Sequence, residues 1–458
     1  MGDIKINSEK FLSIIPFHGL FNWSVQYITN TKIGFTTAFP MVRIGDFLSR
    51  NRTPIIKDDK KEYVRVRIKT HNGGVERREK KNVLGKDIKT KKQYVISEGQ
   101  FIVSKIDARN GAMGIVPKEL DGAIVTQDFL PYDIDTTQIN PEYFVLVCTT
   151  KPFIEYCQSC SSGTTNRQRI NEEEFLNIRI PVPSLSYQRK IICRYKDKIK
   201  EANSLNHNAN QIEIDINDYT FNILGYETKQ NKKERKSIYK YIKFVNFLDI
   251  SEWGVDIVLN KQKKEIFKYP IIKIKDLCKL GSGGTPSRSC PQYYKGAIPW
   301  VKTGEVLNDV IFETEEHISE DAIVNSSAKL YPKGSLIIAM YGQGDTRGRT
   351  AKLGIDATTN QACAVLHDID NSVVSTDYLW YFLQGRYDDL RSMASGNNQP
   401  NLNAGKISNY DVVVPPMDVQ KEMVAYIKEQ KALSKLLKQK ATSMRKEALI
   451  EFENELFE

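Results

Sequence analysis

Apolar positions along this chain fall into two textures that alternate, and each texture occurs twice. Up to Pro183, and again from about Pro270 to Pro416, short apolar runs rich in Val, Ile, Tyr and Phe are broken by Gly, Pro and Asn. Runs of this length bounded by turn residues predict strands. They are FIVSKI from Phe101, GAIVTQDFL from Gly122, IRIPVP from Ile178, SLIIAMY from Ser335, CAVLH from Cys363 and YDVVVP from Tyr410. Helical spacing predicts a short helix in PEYFVLVCTTKPFIEYC from Pro141 and another in TDYLWYFLQGRYDDLRSM from Thr376. These segments read as mixed α/β domains.

After each Pro-rich exit, some 40 residues pass without a proline or a glycine. In the first stretch Ile192, Tyr195, Ile199, Ala202, Leu205, Ala209, Ile212, Ile216, Tyr219 and Ile223 advance by threes and fours. In the second, Met423, Ile427, Leu433, Leu437, Ala441, Met444, Ala448 and Phe452 do much the same. Such a stripe, with charged residues between, lets a helix bury one narrow face on a partner helix. At 1.5 Å per residue each helix would be about 60 Å long, too long to be covered by its own small domain. Packing the two on each other as an antiparallel coiled coil covers both and creates a pseudo-twofold axis; the alternative is that each pads its own domain. Gly225 ends the first helix, and the polar, basic stretch ETKQNKKERKS follows as a linker.

The repetition extends to single residues. Trp23, Val25, Pro40, Ile44 and Asp46 return 230 positions later as Trp253, Val255, Pro270, Ile274 and Asp276. Gly99 and Tyr143 return 235 positions later as Gly334 and Tyr378, and Asn171, Pro183 and Gln188 return 232 positions later as Asn403, Pro415 and Gln420. A period this long marks whole domains and not a solenoid. The chain therefore divides into a domain at 1–183, a helix at 184–225, a basic linker at 226–245, a second domain at 246–415 and a second helix at 416–458. Two similar readers on one chain predict a ligand with two sites.

Charge narrows that ligand. The net charge is +10, and residues 43–92 hold 17 Lys/Arg against 7 Asp/Glu, so the rest of the chain is neutral. Basic charge gathered in one stretch, including RVRIKT and ERREKKN, is the footprint of a protein that neutralises phosphates; the alternative is a solvated loop with spare lysines. Seven cysteines and no signal peptide point to a reducing, intracellular, cytoplasmic setting. Cys157 and Cys160 form a lone CxxC without a second ligand pair, which reads as packing or surface thiols and not zinc. No apolar run approaches the ~18 residues of a membrane span.

The second copy reads GSGGTPSRSCPQYYKGAIPWVKTGEV from Gly281, GSLIIAMYGQ from Gly334, TTNQACAVL from Thr358 and NLNAGKISNYDVVVPPMDVQKEM from Asn401. This order of motifs resembles the target-recognition domain and following helix of the specificity subunit of bacterial type I restriction-modification systems. The first copy is similar more loosely: it keeps GQFIVSKIDARNGAMGIVPKEL and the IPVPSLSYQRKI exit but lacks the GGTPS…IPWV string. The resemblance implies two target-recognition domains, each reading one half of a bipartite, asymmetric double-stranded DNA target. It implies two long helices that set the unread spacer, two docked adenine-N6 methyltransferase subunits, and restriction/translocase subunits completing the complex. S-adenosylmethionine, ATP and Mg2+ would then belong to those partners, with no cofactor on this chain. A type II system cutting on both sides of its site, or a stand-alone DNA endonuclease, stays open as an alternative.

Base edges in the major groove are best read by Arg or Lys on guanine and by Asn or Gln on adenine. In the second copy the loop GQGDTRGR offers Gln343, Arg347 and Arg349, and the loop GNNQPN offers Asn397, Asn398 and Gln399; Arg288 is a further candidate for DNA contact. Corresponding places in the first copy hold Lys105, Arg109 and Asn110, then Thr165, Asn166, Arg167 and Arg169. Arg77, Arg78, Lys80 and Lys81 are assigned to phosphates, where sign matters more than geometry. The alternative for any one of these is an ordinary polar loop.

GSGGTPS lacks the lysine of a P-loop and reads as a tight turn, with Tyr293, Pro299 and Trp300 packing as framework. Trp23 and Trp253 read as core residues. An Asn/Asp-Pro-Pro-aromatic methyltransferase motif is absent, the only Pro-Pro being at Pro415, and no His/Cys constellation recurs in both copies. The chain is expected to be a non-catalytic recognition subunit.

Overall fold

A strand covered on both faces is buried at every residue, and Phe101–Ser104 is such a strand. It pairs antiparallel with Met113–Ile115 on one side and Phe129–Ile134 on the other, and Leu48–Arg50 lies beyond Phe129–Ile134. The second copy repeats this order. Leu336–Ala339, also buried throughout, lies between Thr350–Leu353 and Cys363–His367, with Lys279–Ser282 beyond Cys363–His367. One strand is added there, Val310–Ile311, parallel to Thr350–Leu353.

These elements come from a computed structural model describing residues 37–70, 74–162, 169–225, 227–228, 265–342, 344–393 and 402–457. Trp23, Trp253 and all of the expected linker except residues 227–228 lie outside the described residues. The chain forms two compact units, residues 1–205 with 439–458, and residues 206–438.

Each unit is closed by the same small set of bonds. Met41–Arg43 pairs with Arg179–Pro181, and Ile271–Lys273 with Asp411–Val413. The buried Tyr143 hydroxyl donates to the Pro181 carbonyl at 2.8 Å, and that of Tyr378 to the Val413 carbonyl at 2.6 Å. Gln188 accepts the Asn140 N–H and donates to the Pro183 carbonyl, both at 2.8 Å. Gln420 accepts the Ser375 N–H and donates to the Pro415 carbonyl, again both at 2.8 Å. The smaller sheets differ between copies. Gln93–Val95 lies between Ile124–Val125 and Thr53–Ile55 in a wholly antiparallel set, whereas Ile298–Val301 pairs antiparallel with Glu316–Ile318 and parallel with Thr358–Thr359.

GAIVTQDFL, expected as one strand, divides into Ile124–Val125 in the smaller sheet and the start of Phe129–Ile134 in the larger. The single helix expected from Pro141 is two, Pro141–Thr149 and Lys151–Ser159. Thr150 is extended between them, at φ −68° and ψ 147°, and Pro152, in the first turn of the second helix, cannot donate back across the break. The helix expected from Thr376 likewise divides into Thr376–Gly385 and Tyr387–Ser392 at Arg386.

The long helices are Leu185–Ile223 and Met417–Phe457. In the first unit Tyr187 and Arg194 bond Glu455, Lys198 bonds Glu451, and Arg445 donates to Asn203 at 2.8 Å. In the second, Ser434 donates to the Ala209 carbonyl at 3.1 Å, and the rings of Tyr219 and Tyr426 stack at 4.0 Å. Rising numbers on one helix meet falling numbers on the other in both units. All ten stripe residues of the first long helix are buried or half-buried, but on the second Leu433 is exposed and the seam position goes to Ser434, 1% exposed. A serine is tolerated there because its hydroxyl is satisfied by the Ala209 carbonyl and by Glu213.

Candidate nucleic-acid interface

In the first unit a turn and a short strand that are far apart in sequence meet. Lys105, Arg109 and Asn110 lie on the turn joining Phe101–Ser104 to Met113–Ile115, and Arg169 lies on the short strand Arg169–Ile170. The Ile170 N–H donates to the Lys105 carbonyl at 2.9 Å, which sets the strand beside the turn. Gln158, at the end of Lys151–Ser159, donates to the Arg109 carbonyl at 3.3 Å and fixes the turn from behind. Thr165, Asn166 and Arg167 lie outside the described residues.

The second unit builds the same junction. Arg347 and Arg349 lie on the connection between Leu336–Ala339 and Thr350–Leu353, and the Leu402 N–H donates to the Met340 carbonyl at 3.2 Å. From the helix Tyr387–Ser392, Arg391 donates to the carbonyls of Gly344 at 2.9 Å and Arg347 at 3.3 Å, while the Tyr387 hydroxyl donates to that of Asp345 at 2.7 Å. Sequence reasoning missed Tyr387 and Arg391 as supports of this loop; they carry no motif. Gln343, Asn397, Asn398 and Gln399 lie outside the described residues.

Many of the candidate cations hold a carboxylate. Arg169 pairs with Asp128 at 3.2 Å. Glu172, in the first turn of the helix Glu172–Leu176, gathers Arg50 at 3.4 Å, Lys105 at 4.0 Å and the Tyr132 hydroxyl at 3.0 Å. Burial, and then the Glu172 charge, push the Tyr132 phenol far up, so it stays a neutral donor. Arg288 pairs with Glu316 at 2.8 Å and lies over the rings of Tyr294 and Trp300, 3.9 and 5.3 Å from their centroids. That site binds Arg288 into the framework predicted for Tyr293 and Trp300, and Trp300 itself is buried, donating to the Gly284 carbonyl at 3.0 Å. The glycines before it serve close packing: a Cβ on Gly284 would stand 2.3 Å from the Ala328 nitrogen.

The basic stretch folds back on itself. Val66–Ile68 and Val75–Arg77 form a hairpin in which Arg67 stands opposite Glu76. Arg67 and Lys69 both bind Glu76, Arg65 binds Glu79, and Arg78 lies 3.6 Å from Glu79. Arg77, Lys80 and Lys81 are exposed, and Arg77 donates to Asn82 at 2.8 Å.

Cys157 and Cys160 are both buried free thiols. Burial pushes Cys160 up to about 12, so it packs as a neutral apolar group. Among the described residues no group of three His, Cys, Asp or Glu stands where it could hold a metal ion, and no helix is long and apolar enough to cross a membrane. On the long helices two further side chains turn inward. Tyr195 packs on Phe452, with ring centroids 6.4 Å apart, and Lys431 lies over the Tyr381 ring at 5.9 Å.

The model of the Type I restriction modification DNA specificity domain matches residues 38–215 and again residues 267–444. The chain is 26% identical over 182 residues to the Type I restriction enzyme EcoR124I/EcoR124II specificity subunit of Escherichia coli. That match covers 36% of this chain and 45% of the relative, so it spans less than half of the relative's length. With the Type I restriction enzyme HindI specificity subunit of Haemophilus influenzae the identity is 21% over 404 residues, covering 80% of this chain and 86% of that one. A solved structure from work on complex assembly and conformational transition of the type I R-M system superposes on 91% of this chain and 96% of its own, with a TM-score of 0.55 and 16% identity, a likeness of fold.

Proposed function

Because the chain belongs to the type I restriction-modification DNA specificity family, we propose that it is the address-giving subunit of such a system, with no chemistry of its own. Each α/β domain, bounded near 1–183 and 246–415, reads one half of a bipartite double-stranded DNA target. The long helices pair as an antiparallel coiled coil about a pseudo-twofold axis, set the unread spacer and dock two adenine-N6 methyltransferase subunits, with restriction/translocase subunits joining them. S-adenosylmethionine, ATP and Mg2+ act on those partners.

One observation carries this reading: each unit ties the residue that follows its second polar segment to the connection that leaves its buried central strand, through the Ile170–Lys105 bond in one and the Leu402–Met340 bond in the other. A scaffold that repeats its loop junction while changing the loops themselves suits two unlike half-sites. Lys105, Arg109, Asn110, Asn166, Arg167 and Arg169 are assigned to one half-site. Gln343, Arg347, Arg349, Asn397, Asn398 and Gln399, together with Arg288, are assigned to the other. Arg77, Arg78, Lys80 and Lys81 hold phosphates.

The test is to co-express the chain with the methyltransferase encoded beside it and map methyladenine across the host genome by single-molecule sequencing. The expected result is a split motif, two short unlike halves around a fixed gap, with one modified adenine on each strand. A palindromic motif would overturn the asymmetric reading. No methylation by an intact complex would overturn the assignment to a modification system.

A further inference from the structure

The hairpin of the first unit shows an arrangement that counting charges hides. Four cations, Arg65, Arg67, Lys69 and Arg78, share two carboxylates, Glu76 and Glu79. The carboxylates lie beneath three of these cations. Their side chains are 30% and 29% exposed, against 60% for Arg67, 49% for Lys69 and 58% for Arg78, while Arg65, at 27%, lies as deep as they do. Lys69 foremost, and Arg67 with it, hold the Glu76 carboxyl below the usual carboxylate range against a small cost of burial, so it stays charged at neutral pH.

Resting on the DNA reading above, we propose that Glu76 and Glu79 damp the attraction of this hairpin for arbitrary DNA. The physical reason is range. A phosphate arriving at the outward cations comes within a few ångströms of the carboxylates under them, well inside the ~8–10 Å over which salt screens charge. It therefore meets a cluster whose net charge has been halved. The guanidinium fork of Arg67 is also committed, since both its Nε and a terminal nitrogen bind Glu76, leaving fewer donors for a phosphate. Sequence-independent affinity comes from neutralised phosphates, so halving the charge lowers binding to every sequence alike. The two carboxylates thus set how strongly DNA of any sequence is held, and leave the choice of sequence to the base-reading loops.

Glutamine keeps the shape and an acceptor while removing the charge, so the test is Glu76→Gln with Glu79→Gln in the full chain. Binding to a random-sequence duplex of about 30 base pairs is followed by fluorescence anisotropy over a salt series, with thermal unfolding measured in parallel. Binding tighter by roughly tenfold at low salt, with a salt slope steeper by about 1–2, supports the proposal. Unchanged or weaker binding by a folded variant overturns it, because a hairpin clamp with a purely structural role moves the melting temperature and not the slope. Should the double variant fail to fold, Glu76→Gln combined with Arg67→Gln restores the local charge balance. That pair is expected to bind as the wild type does, while Glu76→Gln alone binds more tightly; equal binding by the two overturns the proposal. Absence of duplex binding by the wild type itself would remove the DNA reading, and this inference with it.

Discussion

Asp377 reaches Lys428 at 2.5 Å, tying the first turn of the helix Thr376–Gly385 to the long helix Met417–Phe457. Its other carboxylate oxygen takes Lys352 at the same distance, so one side chain joins sheet, short helix and long helix. Burial pushes the Asp377 carboxyl up, but the bonds from the two lysines together outweigh it and leave it below the usual carboxylate range. Asp377→Asn should cost about 1–2 kcal/mol in the second unit at neutral pH. A group with a depressed folded value contributes stability above its unfolded value, near 3.9 for aspartate, and loses it as pH falls through the folded value. The gap between wild type and variant in urea unfolding should therefore be full at pH 7 and close below about pH 4. The equivalent pair in the first unit, Glu142 with Lys196 at 2.6 Å, is more than half exposed on both sides, and Glu142→Gln should cost under about 1 kcal/mol.

Gln420 is fully buried and satisfies three main-chain groups: the Ser375 N–H and the carbonyls of Val373 and Pro415. Gln188 satisfies two, the Asn140 N–H and the Pro183 carbonyl. A buried group left without a partner costs more than the bond was worth. Gln420→Ala should therefore destabilise its unit by about 2–4 kcal/mol, and Gln188→Ala should cost less in its own. Tyr378→Phe, which strands the Val413 carbonyl, should cost about 1–3 kcal/mol by the same rule. Chemical denaturation of each variant checks the ranking, and equal costs for the two glutamines would contradict it.

Removing residues 439–458 should loosen the first unit. Phe452 and Leu456 are 2% and 1% exposed within its core, and Glu453 accepts the Lys151 N–H at 2.8 Å, at the first turn of the helix Lys151–Ser159. Hydrogen exchange should show protection falling across residues 141–198 while residues 271–413 keep theirs. A uniform loss across the chain would contradict the division into two units.

Replacing Arg77, Arg78, Lys80 and Lys81 one after another with alanine should weaken duplex binding evenly across sequences. Each phosphate that is no longer neutralised should reduce the salt slope by about 0.9. A change in the preferred methylation motif would place these residues on bases instead.

Patterns that depend on burial were legible, and patterns that depend on a partner were not. Leu336–Ala339 is apolar at every position because both of its faces are covered, and that shows in the letters alone. The long helices showed equally well, since an amphipathic stripe persists over ten turns and single exceptions do not hide it. Ser434 is such an exception: its place in the seam depends on the Ala209 carbonyl opposite, which no local pattern announces. The break at Thr150 was written in Pro152, yet the apolar spacing on either side of it continued in helical phase. The loops assigned to DNA stand out in the letters by their amides and arginines. The carboxylates that occupy Arg169, Arg288 and Arg67 come from elsewhere in the fold or from the facing strand, and a count of charge cannot see them.

The hold of Glu453 on Lys151 bears on the order of events at the ribosome. Domains usually mature in the order in which they are synthesised. Here the residues of the second unit, 206–438, have all been made before the first unit receives the segment 439–458 that completes its core. The domain that begins first finishes last, and until then it waits with the apolar faces of Tyr143, Ile191 and Tyr195 uncovered.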